Sequence, residues 1–146
     1  MSQQNVEVVR RFYDTNVGRY DRYREDPSAL WQVLAPDIEW HPLTGALVEG
    51  TPYKGHEGIK TYFEDLTEAW EHSELTADRF IDADDVVLVL GHIHAIGRGS
   101  GLEMETPVAW IWRLRNGQAV YMRVYLDRRE ALEALGLSEQ DAHADS

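Results

Sequence analysis

Three of the six histidines stand where an imidazole, which titrates near neutral pH, could carry out proton transfer. His41 ends the alternating segment 37–41, which predicts a short strand. We expect His41 at this strand end, at the mouth of a cavity, where it is the candidate catalytic general base. The alternative is a histidine that only hydrogen-bonds the loop beside Pro42.

His92 and His94 are two residues apart on a predicted strand and therefore share one of its faces. Such a pair can ligate a metal ion or relay a proton, but a metal site needs a third ligand. No H-E-x-x-H or similar motif supplies one, and the chain has no cysteine. We therefore predict no metal site and expect the two histidines to be polar residues lining one end of a pocket.

Aromatic side chains are the other candidates for contact with a ligand, since the chain has 5 Trp, 7 Tyr and 3 Phe. Tyr13, Tyr53 and Tyr62 are either hydrogen-bond donors to a ligand carbonyl or core aromatics with a satisfied hydroxyl. The tryptophans favour a small, mostly apolar, ring-containing ligand, although packing alone also explains them. No cofactor is predicted. The predicted ligand-binding residues are Tyr13, Trp31, Trp40, Tyr53, Phe63, Trp70, His92, His94, Trp110, Trp112, Met122 and Val124.

The periodicity of apolar residues predicts helices in the first half of the chain and strands in the second. Helical spacing covers 3–23 and 56–72, and Ser28 caps a short helix that Pro36 ends. A loop over 42–55 follows the strand at 37–41. From Glu74 onward the period is two. The predicted strands are 74–82, 85–97, 103–115 and 118–127, followed by a helix over 128–135 with Asp127 and Glu130 as its capping pair.

This order predicts an α+β fold in which helices pack on one face of a curved antiparallel sheet and leave a conical space. Strand alternation places Val108, Trp110, Trp112 and Leu114 towards the helices, with Val120, Met122, Val124 and Leu126. Hairpin pairing predicts the same face for Leu88, Leu90, His92 and His94. The opposite face would then hold Val87, Val89, Ile93 and Ile111, which is too apolar for solvent. A homodimer through this outer sheet face is the predicted explanation.

Composition narrows the class of protein. A net charge of -12 repels phosphate backbones, so neither nucleic acid nor an anionic membrane is expected as a partner. No apolar run approaches the length of a membrane span, and the first residues do not resemble a signal peptide. We expect a cytoplasmic protein with a single domain over 1–137 and a polar, flexible tail over 138–146.

Five segments together resemble the SnoaL-like branch of the NTF2-like, ketosteroid isomerase-like superfamily, over nearly the whole chain. They are 8–13, 34–40, 53–59, the hairpin 115–117 and 125–137. The resemblance implies a cone-shaped α+β fold. Ketosteroid isomerases carry a tyrosine and two aspartates where this chain has Phe12, His41 and Trp110. SnoaL-type cyclases carry a Glu-His-Trp-Asp run where this chain reads Tyr121-Met122-Arg123-Val124.

Neither of these two activities is therefore expected, and two functions stay open. The chain is either a small-molecule-binding protein with cofactor-independent isomerase, cyclase or lyase-like chemistry by His41, or a non-enzymatic ligand-binding or dimerisation domain. An open cavity lined by His41 or His92 favours the first. A cavity packed shut by Trp110, Trp112 and Trp70 favours the second.

Overall fold

The computed structural model describes residues 2–16, 28–42 and 52–137. The predicted end of the first helix, most of the loop over 42–55 and the tail over 138–146 lie outside these ranges. Within them the elements, in chain order, are α1 Ser2–Asn16, α2 Ser28–Val33, β1 Leu34–His41, β2 Tyr53–Lys54, α3 Gly55–Ala69, β3 Trp70–Ala83, β4 Val86–Gly97, β5 Glu103–Arg115, β6 Gln118–Tyr125 and α4 Arg128–Ala134.

The strands form one sheet in the order β2-β1-β6-β5-β4-β3. β3 to β6 make the predicted antiparallel meander, and positive φ angles at Asn116 and Gly117 fit the predicted tight hairpin between β5 and β6. β1 joins the other edge of β6 in parallel, and β2 pairs with β1 inside the segment predicted as a loop. The fold is the predicted α+β arrangement of helices on a curved, unclosed sheet.

The inner face of the sheet packs against α1 and α3, and the predicted inward residues of β5 belong to the core there. Val108, Trp110, Trp112 and Leu114 are all buried. On β6 the predicted inward orientation is confirmed for Met122 and Val124. It is wrong for Leu126, which follows the strand and is exposed. A register shift after Arg113 pairs Leu114 with Ala119, so Ala119 rather than Val120 joins the core.

The predicted register of β4 is wrong by one residue. Val87 pairs with Trp112 and Val89 with Trp110, so these two valines face inward. Leu88 pairs with Ile111 on the outer face instead. The reason lies in the glycine-containing turn, where Ile96 pairs with Glu103 and Gly97 N donates to the carbonyl of Leu102 at 2.8 Å. A turn one residue longer or shorter would move every side chain of the strand to the other face of the sheet.

A helix of the same chain covers the apolar part of the outer face. Ala131 and Leu132 of α4 form a second buried cluster with residues of β3, β4 and β5. The Asp127 side chain caps this helix by accepting from Arg129 N at 2.9 Å, as predicted for the cap. The residues of the sheet in this cluster are Ile81, Val86, Leu88, Leu90, Ala109 and Ile111. The residues predicted to need a partner subunit were Val87, Val89, Ile93 and Ile111. Only Ile111 is on the outer face, and α4 covers it.

Candidate functional site

A small cavity lies between the helices and the inner face of the sheet. Its volume is about 40 Å³, which is room for one or two water molecules rather than the 300–1,000 Å³ typical of ligand pockets. Six of the predicted ligand-binding residues line it, namely Trp40, Trp70, Trp110, Trp112, Met122 and Val124. The other lining residues were not in the predicted set and are Phe12, Tyr62, Leu66, Ser73, Leu75, Ile93 and Ala95.

Aromatic rings from α1 fill most of the conical space. The Phe12 ring lies 4.9 Å from that of Trp112, and the Tyr13 ring lies 5.2 Å from that of Trp110, both measured between centroids. The Phe12 and Tyr13 rings are themselves edge to face at 5.2 Å. Such tilted and edge-to-face pairs stabilise the core beyond the area they bury. The aromatic core around α1 therefore borders the cavity, since Phe12 and Trp112 also line it.

One hydrogen bond crosses this aromatic core. Trp112 Nε1 donates to the Tyr13 hydroxyl at 3.0 Å, and both side chains are buried. Tyr13 is thus a core residue with a partner on β5, and it does not line the cavity. The bond fixes the orientation of the Trp112 indole relative to α1.

Replacing Tyr13 with phenylalanine is expected to lower the free energy of unfolding by about 1–2 kcal/mol, because it leaves the buried Trp112 N–H without its acceptor. Urea unfolding followed by far-ultraviolet circular dichroism measures this. Phe12→Leu, which removes ring contacts but no hydrogen bond, is the comparison for packing loss. If Tyr13→Phe were as stable as the unchanged protein, the bond would contribute nothing net.

Trp40 is different, because its indole nitrogen has no acceptor among the described residues. It is only 3% exposed, and no group in the described ranges accepts a hydrogen bond from its Nε1. Its ring contacts Phe12, Tyr62 and Trp112, and it lines the cavity. Buried donors are nearly always paired in folded proteins, since leaving one unpaired costs free energy. Trp40 therefore combines a ring that lines the cavity with a buried donor that has no acceptor among the described residues.

Three other predicted ligand-binding residues lie outside the cavity lining. Trp31 stacks on His56 at 4.0 Å, and Phe63 is buried in the core. The Tyr53 hydroxyl donates to Asp65 Oδ2 at 2.6 Å. Burial, and then the hydrogen bond and charge of Asp65, raise the pKa of Tyr53 to about 12. This phenol stays protonated at neutral pH and is already bound to a partner in the chain.

The prediction that His41 lies at the cavity mouth is wrong. Trp40 pairs with Met122 on the inner face, so its neighbour His41 faces the outer side of the sheet. There the His41 ring lies 5.2 Å from the Tyr121 ring, and Nε2 is 2.6 Å from Glu39 Oε2. Its catalytic role stays an untested prediction, and His41 is not among the residues that line the inner cavity.

His92 and His94 also lie on the outer face, because the corrected register of β4 pairs them with Pro107 and Glu105. His92 Nδ1 is 3.3 Å from Asp78 Oδ2, and His94 Nε2 is 3.1 Å from Glu103 Oε2. They do not line the inner cavity as predicted. Across the part of the chain that the structure describes, no group of three or more His, Cys, Asp or Glu side chains is arranged to hold a metal ion.

Solved structures of the same architecture are similar over nearly the whole chain. An NTF2-like protein of unknown function from Burkholderia pseudomallei is 24% identical, with a TM-score of 0.70 over 90% of this chain and 97% of that one. TerC, co-crystallised with polyporic acid, is 24% identical, with a TM-score of 0.67 over 91% and 98%. A Catenulispora acidiphila protein with a ketosteroid isomerase-like fold, in complex with trimethylamine, is 19% identical, with a TM-score of 0.67 over 92% and 95%.

These similarities show the fold, which is the α+β fold of NTF2-like proteins. The sequence profile of the SnoaL-like domain matches residues 9–122, and the chain belongs to this family. No curated protein sequence matches it significantly. None of the described helices is both long and apolar enough to cross a membrane.

Proposed function

We propose that the protein binds a small, mostly apolar, ring-containing molecule that carries one hydrogen-bond acceptor, and that it does so without acid-base catalysis in the cavity. The observation that carries this proposal is the indole nitrogen of Trp40, which has no acceptor among the described residues, on a side chain that lines a cavity whose other walls, apart from Ser73, are aromatic and aliphatic. An acceptor on the ligand would pair with this donor. The surrounding rings would contact the ligand ring by stacking and edge-to-face packing.

The size of the cavity requires side chains to move when a ring is bound. Tyr62, Leu66 and Trp70 are the candidates, since they are only half-buried; the first two lie on α3 and Trp70 begins β3. Trp110 and Trp112 are held in the core and are expected to stay in place. The free energy of displacing the half-buried side chains subtracts from affinity, which favours weak binding of single-ring ligands over tight binding of large ones.

The cavity chemistry favours binding over catalysis. Among the described residues that line it, none is Asp, Glu, His, Lys or Arg, and the only hydroxyl groups are those of Tyr62 and Ser73. The isomerase, cyclase or lyase-like alternative depends on His41, which is paired with Glu39 on the other face of the sheet. A cavity narrowed by Trp110, Trp112 and Trp70 is the feature that favours the non-enzymatic alternative.

Relatives of the same fold support a small-molecule role in general terms only. One structural neighbour was co-crystallised with polyporic acid and another with trimethylamine. A third neighbour, from a Jannaschia species and 20% identical, carries the provisional name SnoaL-like polyketide cyclase. At these identities the fold is shared but the site chemistry is not transferable, so the proposed ligand class rests on the residues of this chain.

The test compares acetophenone with ethylbenzene, which differ in one acceptor. We expect the unchanged protein to bind acetophenone about two- to tenfold more tightly than ethylbenzene. This ratio of affinities corresponds to the net free energy of one hydrogen bond. Nuclear magnetic resonance should show the Trp40 indole N–H signal moving downfield with acetophenone only. In Trp40→Phe, which keeps an aromatic ring but has no donor, the two affinities should become equal.

His41→Ala is the matched control, because His41 is the neighbour of Trp40 on the same strand and faces the other way. It is expected to leave both affinities unchanged. Equal affinity for the two compounds in the unchanged protein would overturn the role of Trp40. A loss of acetophenone binding in His41→Ala alone would instead restore the alternative centred on His41.

A homodimer through the outer sheet face stays a prediction with a changed basis. The apolar part of that face packs against α4, and the remainder carries His72, His92 and His94 with carboxylates beside them. A partner would therefore meet a polar surface on this part of the sheet. Native mass spectrometry of the purified protein would show both a dimer and any ligand that co-purifies.

A further inference from the structure

A second cleft opens on the outer side of the sheet, next to the start of α4. Its volume of about 680 Å³ lies within the range of small-molecule sites. Leu90, Pro107 and Leu126 give it apolar walls, and Arg79 and Arg128 give it positive charge. The cleft can therefore surround a molecule that has both an apolar body and a charged group.

Arg79 forms no ion pair with any described carboxylate, including Asp78 and Asp127, which also line this cleft. Its Nη2 is buried and finds no hydrogen-bond partner, and no carboxylate of residues 2–16, 28–42 or 52–137 forms an ion pair with it. This is unexpected in a chain with 26 acidic and 14 basic residues. A guanidinium nitrogen removed from water without a partner costs free energy. A bound anion would remove that cost.

The carboxylates that line the cleft are already engaged. Asp78 Oδ2 lies 3.3 Å from His92 Nδ1, and Asp127 Oδ1 accepts from Arg129 N at 2.9 Å. Neither is paired with Arg79. Their charges also repel a second negative charge close by, so the cleft favours a monoanion over a dianion such as a phosphate monoester.

The backbone around Arg79 is built with an irregularity. The pairing of β3 with β4 shifts register between Ala77 and Arg79, opposite Gly91 and Leu90. Bulges of this kind redirect side chains and are common beside functional sites. A Cβ added to Gly91 would lie 1.9 Å from the backbone oxygen of Thr76, so the two strands approach closely beside the bulge.

We propose that this cleft binds a small monocarboxylate with an apolar body, whose carboxylate pairs with the Arg79 guanidinium. The planar guanidinium presents two parallel N–H donors that match the two oxygens of a carboxylate. The apolar part of the ligand would lie against Leu90, Pro107 and Leu126. This site is on the opposite face of the sheet from the inner cavity, so it can be tested independently of the role proposed for Trp40.

Hexanoate is the probe, with hexanamide as its uncharged counterpart. Titration of hexanoate into the full chain should shift the Nε–Hε resonance of Arg79, whereas hexanamide should leave it in place. Arg79→Gln should weaken hexanoate binding by about tenfold or more, as expected for loss of a charge-assisted pair. Arg129→Gln is the matched control, because Arg129 is exposed and does not line the cleft.

Several outcomes would overturn the proposal. They are equal shifts with hexanamide, equal weakening in Arg129→Gln, and inorganic phosphate binding as tightly as hexanoate. A change of the Arg79 resonance on dilution of the protein alone would show that a second copy occupies the cleft. If Arg79→Gln does not fold, Arg79→Lys keeps the charge without the paired donors. Undiminished hexanoate binding by that variant would exclude the proposed pairing.

Discussion

Replacing Trp112 with alanine is expected to lower the free energy of unfolding by about 3–5 kcal/mol, the usual range for a large buried aromatic side chain. Trp112 is 1% exposed and its ring lies near those of Phe12, Tyr13 and Trp40. The substitution removes all these contacts and the hydrogen bond to Tyr13, and it enlarges a cavity that is already present. Urea unfolding followed by circular dichroism, with an unchanged slope against urea, measures the loss.

Trp31→Ala is the comparison, because Trp31 is a half-buried tryptophan that packs against the edge of the core and stacks on His56. It should cost clearly less than Trp112→Ala. Equal losses would mean that the aromatic core around α1 is not the centre of stability. The larger cavity of Trp112→Ala should also bind ethylbenzene more tightly than the unchanged protein does, since apolar cavities of this kind accept apolar rings.

The sequence predicted the helices and the meander because their signals are local. The alternation of Trp110 and Trp112 with Ala109 and Ile111 is unambiguous, and the faces predicted for β5 are those observed. The Asn116-Gly117 pair and the cap at Asp127 depend only on neighbouring residues. Each of these features is determined within a few residues of the chain.

The errors arose where a single register or a distant strand decides the outcome. Leu88 and Val87 are equally apolar, so alternation in β4 fixes the two faces without saying which faces inward. Only the length of the turn after Gly97 decides that. For His41 the local pattern was sufficient, because Ile38 and Trp40 are buried and alternation then turns His41 outward.

The state of the cavity could not be read from the sequence. Strand alternation placed Trp110 and Trp112 on the inner face, but whether they leave a space depends on how Phe12 and Tyr13 of α1 pack against them. The hydrogen bond that satisfies Trp112, and the lack of one for Trp40, also depend on three-dimensional packing. Parallel pairing of β1 with β6 joins segments about eighty residues apart and has no local signal.

Gly91→Ala is expected to destabilise the fold by about 3 kcal/mol, at the upper end of the cost of overpacking. The added Cβ would lie 1.9 Å from Thr76 O and 3.1 Å from Ala77 Cα. Both are backbone atoms of β3, so no side-chain rotation relieves the clash, and the bulge next to Arg79 must open. A fall in melting temperature of about 6–12 °C by calorimetry would correspond to this loss.

Gly97→Ala on the same strand is the matched control for Gly91→Ala. There the only close contact of the added Cβ is with Ser100 Oγ, at 2.7 Å, and a serine side chain can rotate away; Leu102 O at 3.7 Å and Trp70 Cζ3 at 3.9 Å lie at ordinary contact distances. We expect a loss of less than about 1 kcal/mol from it, since no backbone has to move. If the two variants were equally stable, the strands at the bulge would be able to separate without cost. The bulge would then not fix the position of Arg79 in the cleft. In that case Gly91→Ala should bind hexanoate as tightly as the unchanged protein does, whereas a bulge that fixes Arg79 predicts weaker binding by this variant.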